Sequence, residues 1–163
     1  MSEPISFFVP GKPMAWKRPG GNGRMRFERK EVTSQKALFV YAAQEEMGDR
    51  EPLMVPIRLF VRATFAISAS WPNWKKEAAR AGHIEHTGKP DSDNLLKLVK
   101  DALNGVVWHD DSYISSCSVE KTFGLLPGVR VAITPLDTLP SQIKRKPDYL
   151  AFRRANSPVI GDA

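Results

Sequence analysis

Apolar and polar positions alternate most cleanly between Pro56 and Ile67. Ile57, Leu59, Val61, Ala63, Phe65 and Ile67 fall on one face, and Arg58, Arg62 and Thr64 on the other. A period of two over that length predicts a long strand with one face in the core. Ile5 to Val9 is shorter, apolar and bounded by "VPGKP", which predicts a strand ending in a turn. Tyr113–Phe123 and Val129–Ile133 read as two further strands, and the "GLLPG" between them predicts a hairpin.

Helical spacing appears in three places. Thr33 or Ser34 can cap a helix that runs to about Met47, where Gly48 supplies the stop. Its middle, "ALFVYAA", is apolar enough to be buried on more than one side. A short basic helix is expected from roughly Trp74 to Ala81, closed by Gly82. At 100° per residue, Asp91 to Asn104 separates into an apolar stripe and a polar one. Leu95, Leu96, Val99, Ala102 and Leu103 form the first; Asp93, Lys97, Lys100, Asp101 and Asn104 form the second. Pro90 keeps Lys89 extended before this helix, and Gly105 ends it.

Two stretches lack such patterning. Residues 11–30, "GKPMAWKRPGGNGRMRFERK", hold seven basic residues against Glu28, and Gly20, Gly21 and Gly23 break them into a loop or hairpin. From Pro135 onward the chain is proline-bearing and basic, with little periodicity, which predicts a flexible tail over 135–163 after a single domain over 1–134.

Composition narrows the function. The chain has 163 residues, long enough for one domain with a real core, and 24 Lys+Arg against 18 Asp+Glu give a net charge of +6. That balance points toward a polyanionic partner. A lone cysteine, Cys117, excludes an internal disulfide and fits a reducing compartment. The first residues do not read as a signal peptide, and no run of about 18 apolar residues is present to span a membrane. The expectation is a soluble, cytoplasmic protein with no membrane partner.

Against that positive background, "KPDSDNLLKLVKDALNGVVWHDD" gathers five aspartates. Taken singly, Asp91 and Asp93 read as helix-start acids, Asp93 and Lys97 as a surface i, i+4 pair, and "HDDS" as a turn. Taken together, they describe something else. If the chain turns back after Gly105, Asp110 and Asp111 can approach the same helix face. Converging carboxylates repel unless a cation lies among them. Oxygen ligands suit magnesium or manganese better than zinc, and His83, His86 and His109 are too scattered for a metal-ligand spacing.

This segment closely resembles the signature of the RusA family of Holliday-junction resolvases. In that pattern a Pro-Asp-x-Asp-Asn is followed by a lysine, an Asp-Ala-Leu and a distal Asp-Asp. "VPGKPMAWKRPG" resembles the family's first strand and basic loop, and "SWPNWKKEAARAG" its mid-chain lysine-rich segment. The loop departs in one place, with Gly20 where an arginine often follows the Arg-Pro.

The resemblance implies an α+β fold, with a small mixed sheet of about four strands packed by two main helices, acting as a homodimer. It implies catalytic residues Asp91, Asp93, Lys97 and Asp111, and metal ligands Asp91, Asp93, Asp110 and Asp111 for Mg2+, with Mn2+ as a substitute. It also implies paired symmetric nicks in a four-way DNA junction, by a bacterial cytoplasmic protein encoded by host or prophage. Lys12, Lys17, Arg18, Arg24, Arg26 and Arg29, interleaved with Trp16 and Phe27, are candidates to neutralise DNA phosphates, together with Lys75 and Lys76.

Three other readings use the same residues. They are a metal-dependent nuclease for other branched or flap DNA, a non-catalytic DNA-binding module, and a phosphotransferase for small anions. The last is disfavoured because "PGGNG" lacks the lysine and Ser/Thr of a phosphate-binding loop.

Overall fold

The alternating segment around residue 60 is an interior strand, and the rest of the sheet is arranged about it. A computed structural model describes residues 3–22, 25–27, 29–136 and 144–156, with side chains described outside 20–28 and 156. The element order is β1 (Ile5–Pro10), β2 (Gly20–Asn22), β3 (Met25–Phe27), α1 (Lys30–Met47), β4 (Ile57–Ala66), α2 (Asn73–Arg80), α3 (Ser92–Leu103), β5 (Ile114–Gly124), β6 (Gly128–Pro135) and α4 (Lys146–Asn156). The basic glycine-rich segment is a hairpin, with β2 and β3 paired antiparallel.

The fold is α+β with a mixed four-stranded sheet, as expected. Its order is β1-β6-β4-β5, antiparallel at β1/β6 and β6/β4 and parallel at β4/β5. The expected hairpin between the last two strands does not form. β6 passes beyond β4 and inserts between β4 and β1. The reason lies in the side-chain rows. Ile5, Ile133 and Leu59 are in register, as are Phe7, Val131 and Val61, and all six are buried. Interior placement lets β6 bury Val129, Val131 and Ile133 between two apolar neighbours, whereas the largely exposed β5 suits an edge.

α1 and α3 cover the apolar face of the sheet and pack on each other. α1 begins at Lys30, earlier than expected, because the backbone N–H groups of Val32 and Thr33 already bond to the Arg29 carbonyl. It buries one stripe (Val32, Gln35, Phe39, Ala43 and Met47), while Leu38 and Tyr41 stay exposed. Burial on more than one side is therefore not observed. The tail contains a helix, α4, that its weak periodicity did not announce, with an Arg145–Asp148 ion pair at its start. No helix among the described residues is long and apolar enough to cross a membrane.

α3 differs from its expected phase by one leucine. Its buried residues are Leu95, Leu98, Val99, Ala102 and Leu103, an i, i+3, i+4, i+7, i+8 set. Leu96, placed in the stripe from the sequence, is only partly buried: it packs at the margin of the core and also lines a polar groove. The two leucines should thus behave differently when truncated. Leu98→Ala is expected to cost about 2–5 kcal/mol through lost burial and a residual cavity. Leu96→Ala should cost less than half as much, by urea denaturation of both variants.

Candidate active site

The acid-bearing helix is set at both ends by neighbouring chain. Before it, Lys121 of β5 donates from Nζ to the carbonyls of Gly88 and Pro90, at 2.7 and 3.1 Å, across a cis Lys89–Pro90 peptide. Asp91 then occupies the N-terminal cap position. Its carbonyl accepts from Leu95 N–H at 3.1 Å, but its side chain makes no capping bond.

After the helix, Gly105 takes a φ of +76°, a conformation glycine adopts without side-chain cost. Its N–H donates to the Trp108 carbonyl at 2.8 Å, which closes the reversal. Leu53 stitches this loop down: its N–H donates to Val107 O at 2.8 Å, and its carbonyl accepts from His109 N–H at 3.0 Å. Trp108 is thereby fully buried. A buried indole N–H needs an acceptor, and Trp108 Nε1 finds one in Asp111 Oδ1 at 2.9 Å.

The reversal brings Asp111 to the polar face of α3. Asp93, Leu96, Lys97, Lys100, Asp101 and Asp111 line one groove of about 280 Å³. Three carboxylates share it with two ammonium groups. Lys100 Nζ lies 3.5 Å from Asp111 Oδ2, and Lys97 Nζ 3.4 Å from each Asp101 oxygen, with Lys36 Nζ 3.9 Å from Asp101 Oδ2. Among the described residues, the Asp93 carboxylate has no hydrogen-bond or ion-pair partner.

Of the residues expected to carry chemistry, Asp93, Lys97 and Asp111 are brought together. Asp91 precedes the helix and does not line the groove. Asp110 turns into its own 3₁₀ turn (Asp111–Tyr113), accepting from Ser112 N–H at 2.9 Å. Hydrogen bonds from Ser112, side chain first and then backbone, hold its carboxyl below the ordinary 3.8.

The basic loop reaches the site through Trp16. Its backbone N–H donates to Asn94 O at 3.0 Å, and its ring lies 4.7 Å from Lys97 Nζ. Lys17 pairs with Glu31 at 3.2 Å beside it, and Arg18 and Arg29 are exposed. Lys12 lines a separate basic groove with Lys89, floored by Phe65, Leu126 and Pro127. Lys75 and Lys76 lie on α2, with Lys75 Nζ 4.1 Å from the Trp71 ring. Arg24 and the Arg26 side chain lie outside the described residues.

The oxygen-only donor set of the groove has the chemistry that magnesium or manganese prefers. Its geometry is not yet that of a coordination shell. Among the described residues, no three His, Cys, Asp or Glu side chains come close enough to hold a metal ion. The repulsion expected from clustered carboxylates is met here by Lys97 and Lys100. Sequence reasoning placed Lys100 and Asp101 on a polar face, and Asp101 in the Asp-Ala-Leu of the resemblance, but gave neither a role in the site, and it missed Trp108. Asp101 had a signal, since it stands one helical turn beyond Lys97; Trp108 had none.

The sequence profile described as Endodeoxyribonuclease RusA matches residues 10–134, a span that includes every residue lining the groove. The chain belongs to the RusA family. RusA membership makes it an endodeoxyribonuclease, a hydrolase of DNA phosphodiesters, and bears out the resemblance carried by residues 89–111. A Bacillus subtilis (strain 168) relative described as "Uncharacterized protein YqaN" is 35% identical over 136 residues, covering 79% of this chain and 94% of its own length.

Two outcomes test this geometry. Trp108→Phe keeps the buried ring but removes the donor to Asp111 Oδ1, so DNA cleavage should fall at least about tenfold with binding retained. Near-native far-ultraviolet circular dichroism would show that the fold survives. Asp110 should titrate below 3.8 in carboxyl NMR. Because its folded value is depressed, the stability it lends is present above 3.8 and lost as pH falls through the folded value.

Proposed function

We propose that this RusA-family protein is a structure-specific endonuclease that resolves four-way DNA junctions by paired symmetric nicks. It acts as a homodimer with magnesium in the bacterial cytoplasm, serving DNA recombination and repair. The reading is carried by one observation: Asp93, Lys97 and Asp111 share a groove to which the basic N-terminal loop is bonded through Trp16.

Hydrolysis of a phosphodiester forms a bond from a water oxygen to phosphorus and breaks the bond to the 3′ oxygen, which takes up a proton. Magnesium, held by Asp93 and Asp111 with Asp91 and Asp110 in support, would supply an activated water and a polarised phosphate. The remaining work falls to the chain itself. Lys97 presents a fixed positive charge to the phosphorane or leaving oxygen, oriented by Asp101 and the Trp16 ring. Lys12, Arg18 and Arg29, with Arg24 and Arg26, neutralise backbone phosphates without reading sequence, so binding weakens steeply with salt. Lys17, Lys75 and Lys76 add to the same field. Two grooves at a fixed separation in a dimer would match the opposed strands of a junction.

The test is magnesium-dependent cleavage of a synthetic four-way junction, run beside fork, flap and duplex DNA. Asp93→Asn and Lys97→Ala should each lose about a hundredfold or more in cleavage. Junction binding in calcium should persist, tighter for Asp93→Asn because less negative charge faces the phosphates. Equal cleavage of flaps and junctions would replace the junction reading with a broader branched-DNA nuclease. Binding without cleavage by the wild type would make the chain a DNA-binding module.

A further inference from the structure

Both oxygens of Asp111 are engaged, and by partners of opposite character. Trp108 Nε1 donates to Oδ1 from an indole that is fully buried among core residues. It cannot withdraw without opening the core. Lys100 Nζ faces Oδ2 at 3.5 Å from a flexible side chain that is 31% exposed. A pair of that exposure adds little stability, so it can be broken at small cost.

The two lysines of the groove are also unlike each other. Lys97, 47% exposed, pairs within its own helix, with both Asp101 oxygens at 3.4 Å, and lies 4.7 Å from the Trp16 ring. Lys100 contacts a carboxylate that projects from another segment, beyond the reversal at Gly105. It therefore bridges α3 to Asp111 through Oδ2. Its charge thus lies against a carboxylate of the groove, where a cation would have to bind.

We propose that Lys100 is an exchangeable counter-ion for Asp111. In the metal-free protein it neutralises the carboxylate and keeps Asp111 seated beside α3. A divalent cation takes over Oδ2 and releases the ammonium into the groove, while Trp108 holds Oδ1 throughout. The proposal rests on the reading of the groove as a metal site and adds to it a built-in competitor. Magnesium must displace a lysine before the carboxylates can act together, so occupancy is weaker than the acid count alone would give.

The experiment titrates Mn2+ alone, without DNA, into the full-length protein by calorimetry. Lys100→Met keeps the apolar stem and removes the charge. It should bind Mn2+ about threefold or more tightly than wild type, since both competition and repulsion are lost. Without metal its melting temperature should stay close to that of wild type, and a fixed sub-saturating Mn2+ concentration should raise it more than it raises wild type. Lys100→Arg gives the opposite test and guards against a misfolded Met variant. A guanidinium fork grips a carboxylate better than an ammonium, so Mn2+ affinity should drop.

Equal or weaker Mn2+ binding by Lys100→Met, with wild type binding normally, would overturn the exchange and leave the metal site standing. Unchanged affinity in Lys100→Arg would overturn it too. Absence of Mn2+ binding in wild type and both variants, or binding that Asp93→Asn leaves intact, would overturn the metal reading of the groove and the exchange with it.

Discussion

The hydrogen bond from the buried Trp108 indole to Asp111 is the constraint on which the site depends. Trp108 has a large apolar ring that belongs in the core and one donor that does not. Burying the ring forces the N–H to find an acceptor, and Asp111, three residues on, is the group it finds. Core packing thus aims an otherwise exposed carboxylate at the polar face of α3. The Gly105 reversal and the two hydrogen bonds to Leu53 are the means by which the tryptophan reaches its place. A site acid is positioned here by hydrophobic burial, transmitted through one polar atom.

Electrostatics then distinguishes carboxylates that look equivalent in the sequence. Asp101 and Asp111 are balanced by Lys97 and Lys100, Asp110 is absorbed by its own turn, and Asp93 lines the groove with no partner among the described residues. An acid that is neither capped nor paired keeps its full capacity to attract a cation. The groove therefore combines a nearly neutral lining with one uncommitted charge. The basic loop that carries Trp16, Lys17 and Arg18 is bonded to α3 beside it, through Trp16 N–H to Asn94 O.

Much of the fold could be read from the sequence, and the exceptions have physical causes. The alternation in β4, the turn before α3 and the glycine after it are local signals, and each is observed within a residue or two. The false hairpin between β5 and β6 arose because adjacency in sequence is a weak guide once an apolar strand can bury itself between two others. Leu96 and Leu98 were confused because both border the stripe on a wheel; the choice belongs to the packing against α1 and the sheet. For the site, the spacing of Asp93 and Lys97 was visible, whereas the reach of Trp108 to Asp111 depends on Leu53, more than fifty positions earlier in the chain. Lys100 was visible as a charge and invisible as the partner of a particular oxygen.

The place of β6 in the sheet carries a consequence for how the enzyme comes into being. Among the described residues, β1 leads the sheet in chain order and pairs with β6, the sheet's last strand, and β6 also forms one side of β4. Until residues 128–135 are synthesised, β1 has no strand to join and the face that supports α1 and α3 is incomplete. Long-range pairing of this kind is slow to form and arrives in one step with the rest of the core. A nascent or truncated chain that stops short of β6 holds all the groove residues in its sequence but lacks the sheet that brings them together. The groove of a DNA-cutting enzyme thus depends on a strand that lies beyond every residue lining it.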